Sequence, residues 1–149
     1  YLTRDLKRLP LKLINKSIPI RNLREHELQE FVDLVNISLA HSPDPFISMT
    51  LDFAKKWPLD QTLVAELDGK LVGFLMFESR GTMGIPVQLG VLPEYRRRSV
   101  GITLLLSLLK KFRERGIKEV RMKVFKNNEP ALNLYKKLRF KVYGVTLEE

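Results

Sequence analysis

The sequence contains no cysteine and only two histidines among its 149 residues. The absence of cysteine excludes disulfide bonds, thiolate nucleophiles and cysteine-ligated zinc. His26 lies in a glutamate-rich helical segment, and His41, near Asp44, lacks a third metal ligand at a recognisable spacing. No serine stands in a strand–turn–helix elbow with acid and histidine partners. We therefore predict neither a metal site nor a nucleophilic triad.

Long apolar runs are also missing. No stretch approaches the roughly 20 apolar residues that a membrane-spanning helix needs, and the first residues lack the pattern of a signal peptide. Together with the lack of cysteine, this favours a cytoplasmic protein without membrane association. The length and the apolar content of 44% are typical of a single globular domain, residues 1–149.

The charge of the chain is strongly unbalanced. Its formal net charge is +9, from 26 Lys and Arg against 17 Asp and Glu, and much of the excess lies between Arg96 and Lys141. Such a balance favours an anionic partner, which could be nucleic acid, a polyphosphate cofactor or an acidic substrate. A solvated, lysine-rich surface explains the same numbers.

The chain alternates between helical and strand patterns, without repeats or linkers. Apolar residues recur at three- and four-residue spacing in the helical segments, and Asp68-Gly69 is a strong hairpin signal. The predicted elements, in chain order, are a strand at 11–21, a helix from Leu23 to Leu39, a short helix at 50–57, hairpin strands within 61–79, a strand at 85–92, a helix at 100–115, a strand at 118–125, a helix from Asn128 to Leu138 and a strand at 139–147. This order predicts a mixed α/β fold of the α+β type.

The helix at 100–115 has an apolar face and a basic face, and Gly116 is a natural stop after it. We expect Leu105, Leu108, Leu109 and Phe112 to face inward and Lys110, Lys111, Arg113 and Arg115 to face water.

Residues 85–112 are the most informative stretch. They predict a short apolar strand, a turn at Pro93, a basic loop with Arg96, Arg97 and Arg98, and then the leucine-rich helix. A strand that leads through a loop of small residues into a helix leaves unpaired backbone N–H groups at the positive end of the helix dipole. Such groups form an anion site, which commonly binds a diphosphate.

Two segments resemble the GNAT superfamily of N-acetyltransferases. VLPEYRRRSVGITLLLSLL resembles the acetyl-CoA-binding motif, Gln/Arg-x-x-Gly-x-Gly/Ala after a strand, with Arg96 first, Ser99 replacing the first glycine and Gly101 as the second. NNEPALNLYKKLRF resembles the downstream motif, with Asn128 and Tyr135 at its asparagine and tyrosine. Both occur in the family's order and at a fitting separation, and the resemblance covers most of the chain.

The resemblance implies an acyl-CoA N-acyltransferase-like fold, with a mostly antiparallel central sheet that contains a splayed strand pair and is flanked by helices. It implies that the backbone amides of residues 97–101 approach the diphosphate of acetyl-CoA and that the pantetheine arm pairs with one splayed strand. A backbone N–H of that strand would face the thioester oxygen and stabilise its developing charge. The implied cofactor-binding residues are Leu89, Gly90, Val91, Arg96, Arg97, Arg98, Ser99, Val100, Gly101 and Asn128.

Two of these residues have alternative roles. The hydroxyl of Ser99 could donate to a phosphate or cap the following helix, and Asn128 could contact pantetheine or only cap its own helix.

The resemblance also assigns catalytic roles. Tyr135 is implied as the acid that protonates the leaving thiolate, because a phenol keeps its proton at neutral pH; a buried core tyrosine is the alternative. Related ribosomal-protein N-terminal acetyltransferases carry a Glu five residues before the motif's asparagine, where this chain has Lys123. Glu78 is our first candidate for the general base and a water held by Gln88 the second, while release of the proton to bulk solvent needs no residue. Lys123 could instead bind a substrate carboxylate.

The implied activity is transfer of an acetyl group from acetyl-CoA to a primary amine, by direct attack in a ternary complex. The acceptor could be a protein N-terminus, a lysine, a polyamine-like compound or an amino acid. A catalytically impaired acyl-CoA-binding regulatory module is the main alternative, and a nucleic-acid-binding domain that uses Arg96–Arg98 is a weaker one. The family has one more strand than the chain predicts before Glu149. We therefore expect that the final strand is absent or that a partner chain covers this edge, as in a homodimer.

Overall fold

A computed structural model describes residues 2–40, 48–124 and 128–142 of the protein. Seven strands within these ranges form one sheet. They are β1 (Leu2–Asp5), β2 (Ile20–Asn22), β3 (Thr62–Leu67), β4 (Lys70–Arg80), β5 (Met83–Val91), β6 (Glu119–Met122) and β7 (Lys141–Val142). Their order is β2-β3-β4-β5-β6-β1-β7, and every neighbouring pair is antiparallel except β5 and β6. The predicted mixed, mostly antiparallel sheet is confirmed.

Two long helices cover opposite faces of this sheet. The helices of the described ranges are α1 (Leu28–Leu39), α2 (Leu51–Lys56), α3 (Val100–Glu114) and α4 (Glu129–Lys137). Phe74 and Phe77 are three residues apart on β4, so their side chains point to opposite faces. Phe74 meets Phe31 of α1 edge-on at 5.7 Å between ring centroids, and Phe77 meets Phe112 of α3 at 5.6 Å. These two aromatic pairs fix α1 and α3 on either side of β4.

The turn signals in the sequence act as predicted. Asp68 and Gly69 join β3 to β4 with φ values of 53° and 74°, as a type I′ hairpin turn requires. Gly116 follows α3 with φ of 82°, and the N–H of Ile117 donates to the carbonyl of Phe112, which ends the helix. The hairpin and the helix that leads away from β5 are therefore confirmed.

The strand predicted at 11–21 is wrong over most of its length. Residues Leu11–Leu13 form a short 3-10 helix, and only Ile20–Asn22 is a strand. The side chain of Asn15 accepts hydrogen bonds from the backbone N–H and the hydroxyl of Ser17, which turns the chain. Leu13, Ile14 and Ile18 nevertheless pack against the core, although none of them lies in a strand.

The first strand of the chain was not predicted. β1 lies between β6 and β7 and is antiparallel to both. The guanidinium of its buried residue Arg4 donates to the carbonyl of Leu138 at 2.6 Å, just after α4. Of the strand predicted at 139–147, Lys141–Val142 is a strand, whereas Arg139 lies in a turn with φ of 68° and Phe140 is outside the strand; residues 143–147 lie outside the described residues. The expected further strand and the homodimer stay predictions.

The predicted faces of α3 are correct with one exception. Leu105, Leu108, Leu109 and Phe112 are buried as expected. Lys111, however, does not simply face water. Its ammonium donates to Asn22 Oδ1 at 3.2 Å and lies 5.9 Å from the centre of the Phe77 ring. Burial of this side chain lowers the pKa of Lys111.

An ion-pair cluster holds the start of α1 against the edge of the sheet. Arg21 of β2 donates to both oxygens of Glu27, at 2.8 and 2.7 Å, and to Glu66 of β3 at 2.6 Å. The backbone N–H of Arg24 also donates to Glu27. The bond from Arg21 is the main cause that lowers the pKa of Glu27 from 4.5 to about 2. The ionised form of Glu27 therefore stabilises the fold.

We predict that Glu27→Gln lowers the free energy of unfolding at pH 7 by about 2–3 kcal/mol. Because the folded-state pKa is depressed, the contribution of Glu27 is present above pH 4.5 and is lost as the pH falls towards 2. Urea unfolding at pH 7 and near pH 2.5 should show a difference between the variant and the wild type that shrinks at the lower pH. Glu66→Gln is the control, because the Glu66 side chain is 39% exposed and should contribute under about 1 kcal/mol. A difference that does not depend on pH would contradict this account.

Candidate functional site

The site begins where β5 and β6 separate. These parallel strands pair only at Met83 with Glu119 and at Gly84 with Val120. At this junction Gly84 leaves room for the ring of Phe112, which a side chain at that position would strike. Beyond it the strands diverge, which confirms the predicted splayed pair.

A cleft of about 740 Å³ opens between the two diverging strands. Its walls come from β5, from the residues that follow β6, from the start of α3, from α4 and from the end of α1. The described residues that line it are Ser38, Leu39, Leu75, Pro86, Val87, Gln88, Leu89, Gly90, Val91, Arg96, Arg97, Gly101, Leu105, Met122, Lys123, Val124, Asn128, Pro130, Ala131, Leu134 and Tyr135. A cleft of this size is typical of a small-molecule or cofactor site.

A bulge shapes the wall that β5 contributes. Gln88 pairs with Met76 and Pro86 pairs with Phe77, so Val87 is an extra residue without a partner on β4. A bulge shifts the alternation of the strand and re-aims the groups that follow it. The side chain of Val87 is 47% exposed at the cleft. Toward β6, the backbone edge of β5 beyond Gly84 is left without a strand partner in the described part of the sheet.

The loop before α3 has an unusual backbone. Arg97 and Ser99 have φ values of 64° and 65°, in the left-handed region that favours glycine. Ser99 is the N-terminal cap residue of α3, but its side chain makes no capping hydrogen bond. The capping role considered for the Ser99 hydroxyl is therefore wrong. The left-handed backbone of Ser99 explains why the family motif has glycine at this position.

The first turn of α3 faces the cleft. The carbonyl of Ser99 accepts the first helical hydrogen bond, from the N–H of Thr103, so the preceding N–H groups of the turn have no partner within the helix. Gly101 lies in this turn and lines the cleft. A side chain there would meet only Val91 at 3.8 Å, an ordinary contact. Val100 is buried in the core, so it can offer only its backbone.

The side chains of the three arginines of the basic loop contact different parts of the structure. Arg96 donates to the carbonyls of Val91 at 3.2 Å and Ser38 at 2.9 Å. Arg97 lines the cleft. Arg98 lies over the ring of Tyr95, 5.1 Å from its centre, and does not line the cleft. The predicted anion site therefore depends on backbone amides and Arg97 more than on a cluster of three arginines.

The second motif forms the opposite wall. The side chain of Asn128 accepts a hydrogen bond from the N–H of Ala131 at 3.3 Å, which confirms it as the cap of α4, and Asn128 also lines the cleft. Tyr135 is buried, lines the cleft and packs edge-on against Phe140 at 5.7 Å. The structure thus brings Tyr135 and the start of α3 to the same cavity.

Glu78 does not lie in this cavity. It sits on β4 opposite Ile85, and its carboxylate is 3.4 Å from Arg80. Gln88, the second candidate, does line the cleft. No described residue of the lining is Asp or Glu.

Sequence reasoning missed the part of the site contributed by α1. Ser38 and Leu39, at the end of this helix, line the cleft beside Gly90. The Ser38 hydroxyl is buried and has no hydrogen-bond partner among the described residues. In the sequence Leu39 only continues the apolar stripe of α1, and Ser38 is a single polar residue beside it, so neither residue by itself indicates a site.

The described residues contain no group of three or more side chains suited to a metal ion. They also contain no helix that is long and apolar enough to cross a bilayer.

Comparison with known proteins agrees with this geometry. Residues 21–140 match the family described as "Acetyltransferase (GNAT) family", so the chain belongs to the GNAT acetyltransferases. An N-alpha-acetyltransferase of Sulfurisphaera tokodaii is 30% identical over 139 residues, which cover 85% of this chain and 81% of that protein.

Two solved structures share the fold. One is the PaiA N-acetyltransferase of Thermoplasma acidophilum in complex with coenzyme A, with a TM-score of 0.74, 24% identity and coverage of 87% of this chain and 93% of the other. The second is a ribosomal-protein-alanine N-acetyltransferase of Brucella melitensis, with a TM-score of 0.74, 20% identity and coverage of 85% and 86%.

We predict that Ser99→Gly raises the free energy of unfolding by about 0.5–1 kcal/mol, because glycine adopts the left-handed conformation without strain and this gain exceeds its extra unfolded-state entropy. Thermal unfolding should show a midpoint about 2 °C higher. Ser107→Gly, within α3, is the matched control and should destabilise the protein by a similar amount. Destabilisation by both variants would show that the backbone of Ser99 is not strained.

Proposed function

We propose that this protein transfers an acetyl group from acetyl-CoA to a primary amine, by direct attack within a ternary complex. The observation that carries the proposal is the shared cleft. The open first turn of α3, the unpaired edge of β5 and Tyr135 all face one cavity.

The cleft fits the parts of acetyl-CoA in order. The diphosphate would accept hydrogen bonds from the backbone amides at the start of α3, where Gly101 leaves close access and Arg97 adds positive charge. The pantetheine amides would pair with the open edge of β5 along Leu89, Gly90 and Val91, with Asn128 across the cleft. Acetyl-CoA would bring an activated acyl group as a thioester.

The reaction then requires few side chains. The acceptor amine attacks the thioester carbon, so a C–N bond forms and the C–S bond breaks. Tyr135 donates its phenolic proton to the departing sulfur. A backbone N–H of β5, beyond the bulge at Val87, stabilises negative charge on the thioester oxygen. Of the two protons that the ammonium form of the acceptor loses, one replaces the proton of Tyr135 and one reaches solvent.

We assign water as the base for the proton that reaches solvent. Gln88 lines the cleft and can hold a water molecule there, whereas Glu78 lies outside it. The alternative function, an acyl-CoA-binding regulatory module without catalysis, is favoured by the lack of a carboxylate among the described lining residues. Release of free thiol in the presence of a panel of amines distinguishes the two.

We predict that Gly101→Glu abolishes coenzyme A binding, with a loss of affinity of at least about 100-fold. The new side chain would put bulk and negative charge against the diphosphate. The fold should survive, because the position is sterically open and an acidic residue in the first turn of a helix is favourable. Calorimetric titration with coenzyme A measures the loss, and Gly101→Ala controls for the added Cβ. Tight binding by the glutamate variant would remove the diphosphate from this turn.

We predict that Tyr135→Phe lowers kcat by about 100-fold and leaves coenzyme A affinity nearly unchanged, because only the proton donor is lost. Steady-state kinetics and calorimetry measure the two quantities. Tyr95→Phe is the matched control, because the Tyr95 hydroxyl donates to Asp68 at 3.2 Å outside the cleft. Unchanged turnover in Tyr135→Phe would remove Tyr135 from its role as the acid.

A further inference from the structure

The charged side chains among the described residues that line the cleft are all of one sign. The charged side chains of its described lining are Arg96, Arg97 and Lys123, and none of the described lining residues is acidic. Two of these cations lie at the α3 end. Arg96 is bound there to two backbone carbonyls, and Arg97 lies in the loop that leads into the helix. Lys123 is the third of these described charges and lies further along the cleft.

The position of Lys123 follows from the strand register. β5 and β6 are parallel and pair at Met83 with Glu119. Val87 on β5 and Lys123, the residue after the end of β6, each follow this pair by four residues and face each other across the diverging strands. Val87 is also four residues before Val91, where β5 reaches the loop that leads to α3. At about 3.3 Å per residue, Val87 lies roughly 13 Å along β5 from the proposed diphosphate end, and Lys123 lies across the cleft near this level. The extended arm of the proposed cofactor would carry its thioester toward this level.

Lys123 is therefore placed at the acceptor's side of the reaction. Its side chain is exposed and lines the cleft with Gln88 and Tyr135. A second ammonium group on an acceptor would be repelled there, whereas a carboxylate near the reactive amine would be attracted and could accept hydrogen bonds from the lysine. The net charge of +9 adds a long-range field of the same sign.

We propose that Lys123 is a specificity residue that selects acceptors with a carboxylate close to the reactive amine. This inference rests on the proposed acetyl transfer. Such a carboxylate has two chemical sources, the α-carboxylate of a free amino acid and an acidic side chain next to the N-terminus of a peptide. Both present the same group at a short distance from an α-amine, and the experiment separates them.

The test compares paired acceptors that differ only in the carboxylate. One arm uses alanine and alaninamide. The other uses the peptides Ala-Glu-Ala and Ala-Gln-Ala, which have a free N-terminal amine and an amidated C-terminus. The measured quantity is the ratio of kcat/KM for the carboxylate to kcat/KM for its neutral partner. Comparing this ratio between protein variants cancels the intrinsic reactivity of each amine.

Lys123→Met should lower this ratio roughly tenfold in at least one arm, and Lys123→Glu should lower it further. Lys16→Glu is the matched control, because it makes the same charge change at an exposed residue outside the cleft and should leave the ratio unchanged. Coenzyme A affinity should stay close to that of the wild type in all three variants. The arm in which the ratio falls identifies the source of the carboxylate.

Two results would overturn the inference, and they differ in what they say of the proposed function. If the wild type acetylates these amines with ratios that Lys123→Glu leaves unchanged, the transferase activity stands and Lys123 does not select acceptors. If the wild type binds coenzyme A but acetylates no amine of either arm, both the inference and the proposed activity on these amines fail.

Discussion

The separation of β5 and β6 after two residue pairs is the constraint on which the site depends. It leaves one backbone edge of β5 open, and it creates the cleft between two strands that would otherwise close the sheet. The parallel pairing of β5 and β6 also determines the direction of α3. A helix that connects parallel neighbours must begin at the carboxyl end of the first strand. The amides of its first turn therefore lie at the end of the cleft, where a diphosphate can reach them.

The positive charge of the basic loop is used mainly for structure. Arg96 joins the end of β5 to the end of α1 through two backbone carbonyls. Arg98 and Lys70 lie over the ring of Tyr95, at 5.1 and 5.0 Å from its centre. The three arginines that the sequence places side by side thus do not form one continuous basic surface. This distribution gives the nucleic-acid-binding alternative little support, and it leaves Arg97 as the arginine that is available to a phosphate.

The features that sequence reasoning predicted correctly are local. The Asp-Gly turn, the helical spacing of leucines and the strand–loop–helix motif each extend over a short stretch of chain. The turn is confirmed in the hairpin of β3 and β4, and the other two are confirmed in β5 and α3. The features that it missed depend on distant pairing. β1 has four residues, and its place beside β6 follows from contacts across more than a hundred residues of chain. Glu78 lies on the predicted hairpin strand, but only the sheet pairing shows that its partner on β5, Ile85, is next to the closed end of the cleft.

The two walls of the cleft are held by separate sets of contacts. On one side, Arg96 ties α1 to β5. On the other, Asn128 caps the start of α4 through the N–H of Ala131, and Arg4 of β1 donates to the carbonyl of Leu138 just after the end of α4. Tyr135 lies three residues before Leu138, so the bond from Arg4 joins the end of its helix to a residue near the beginning of the chain. The wall that carries Tyr135 is therefore joined to β1, whereas the wall beside Gly90 is joined to α1.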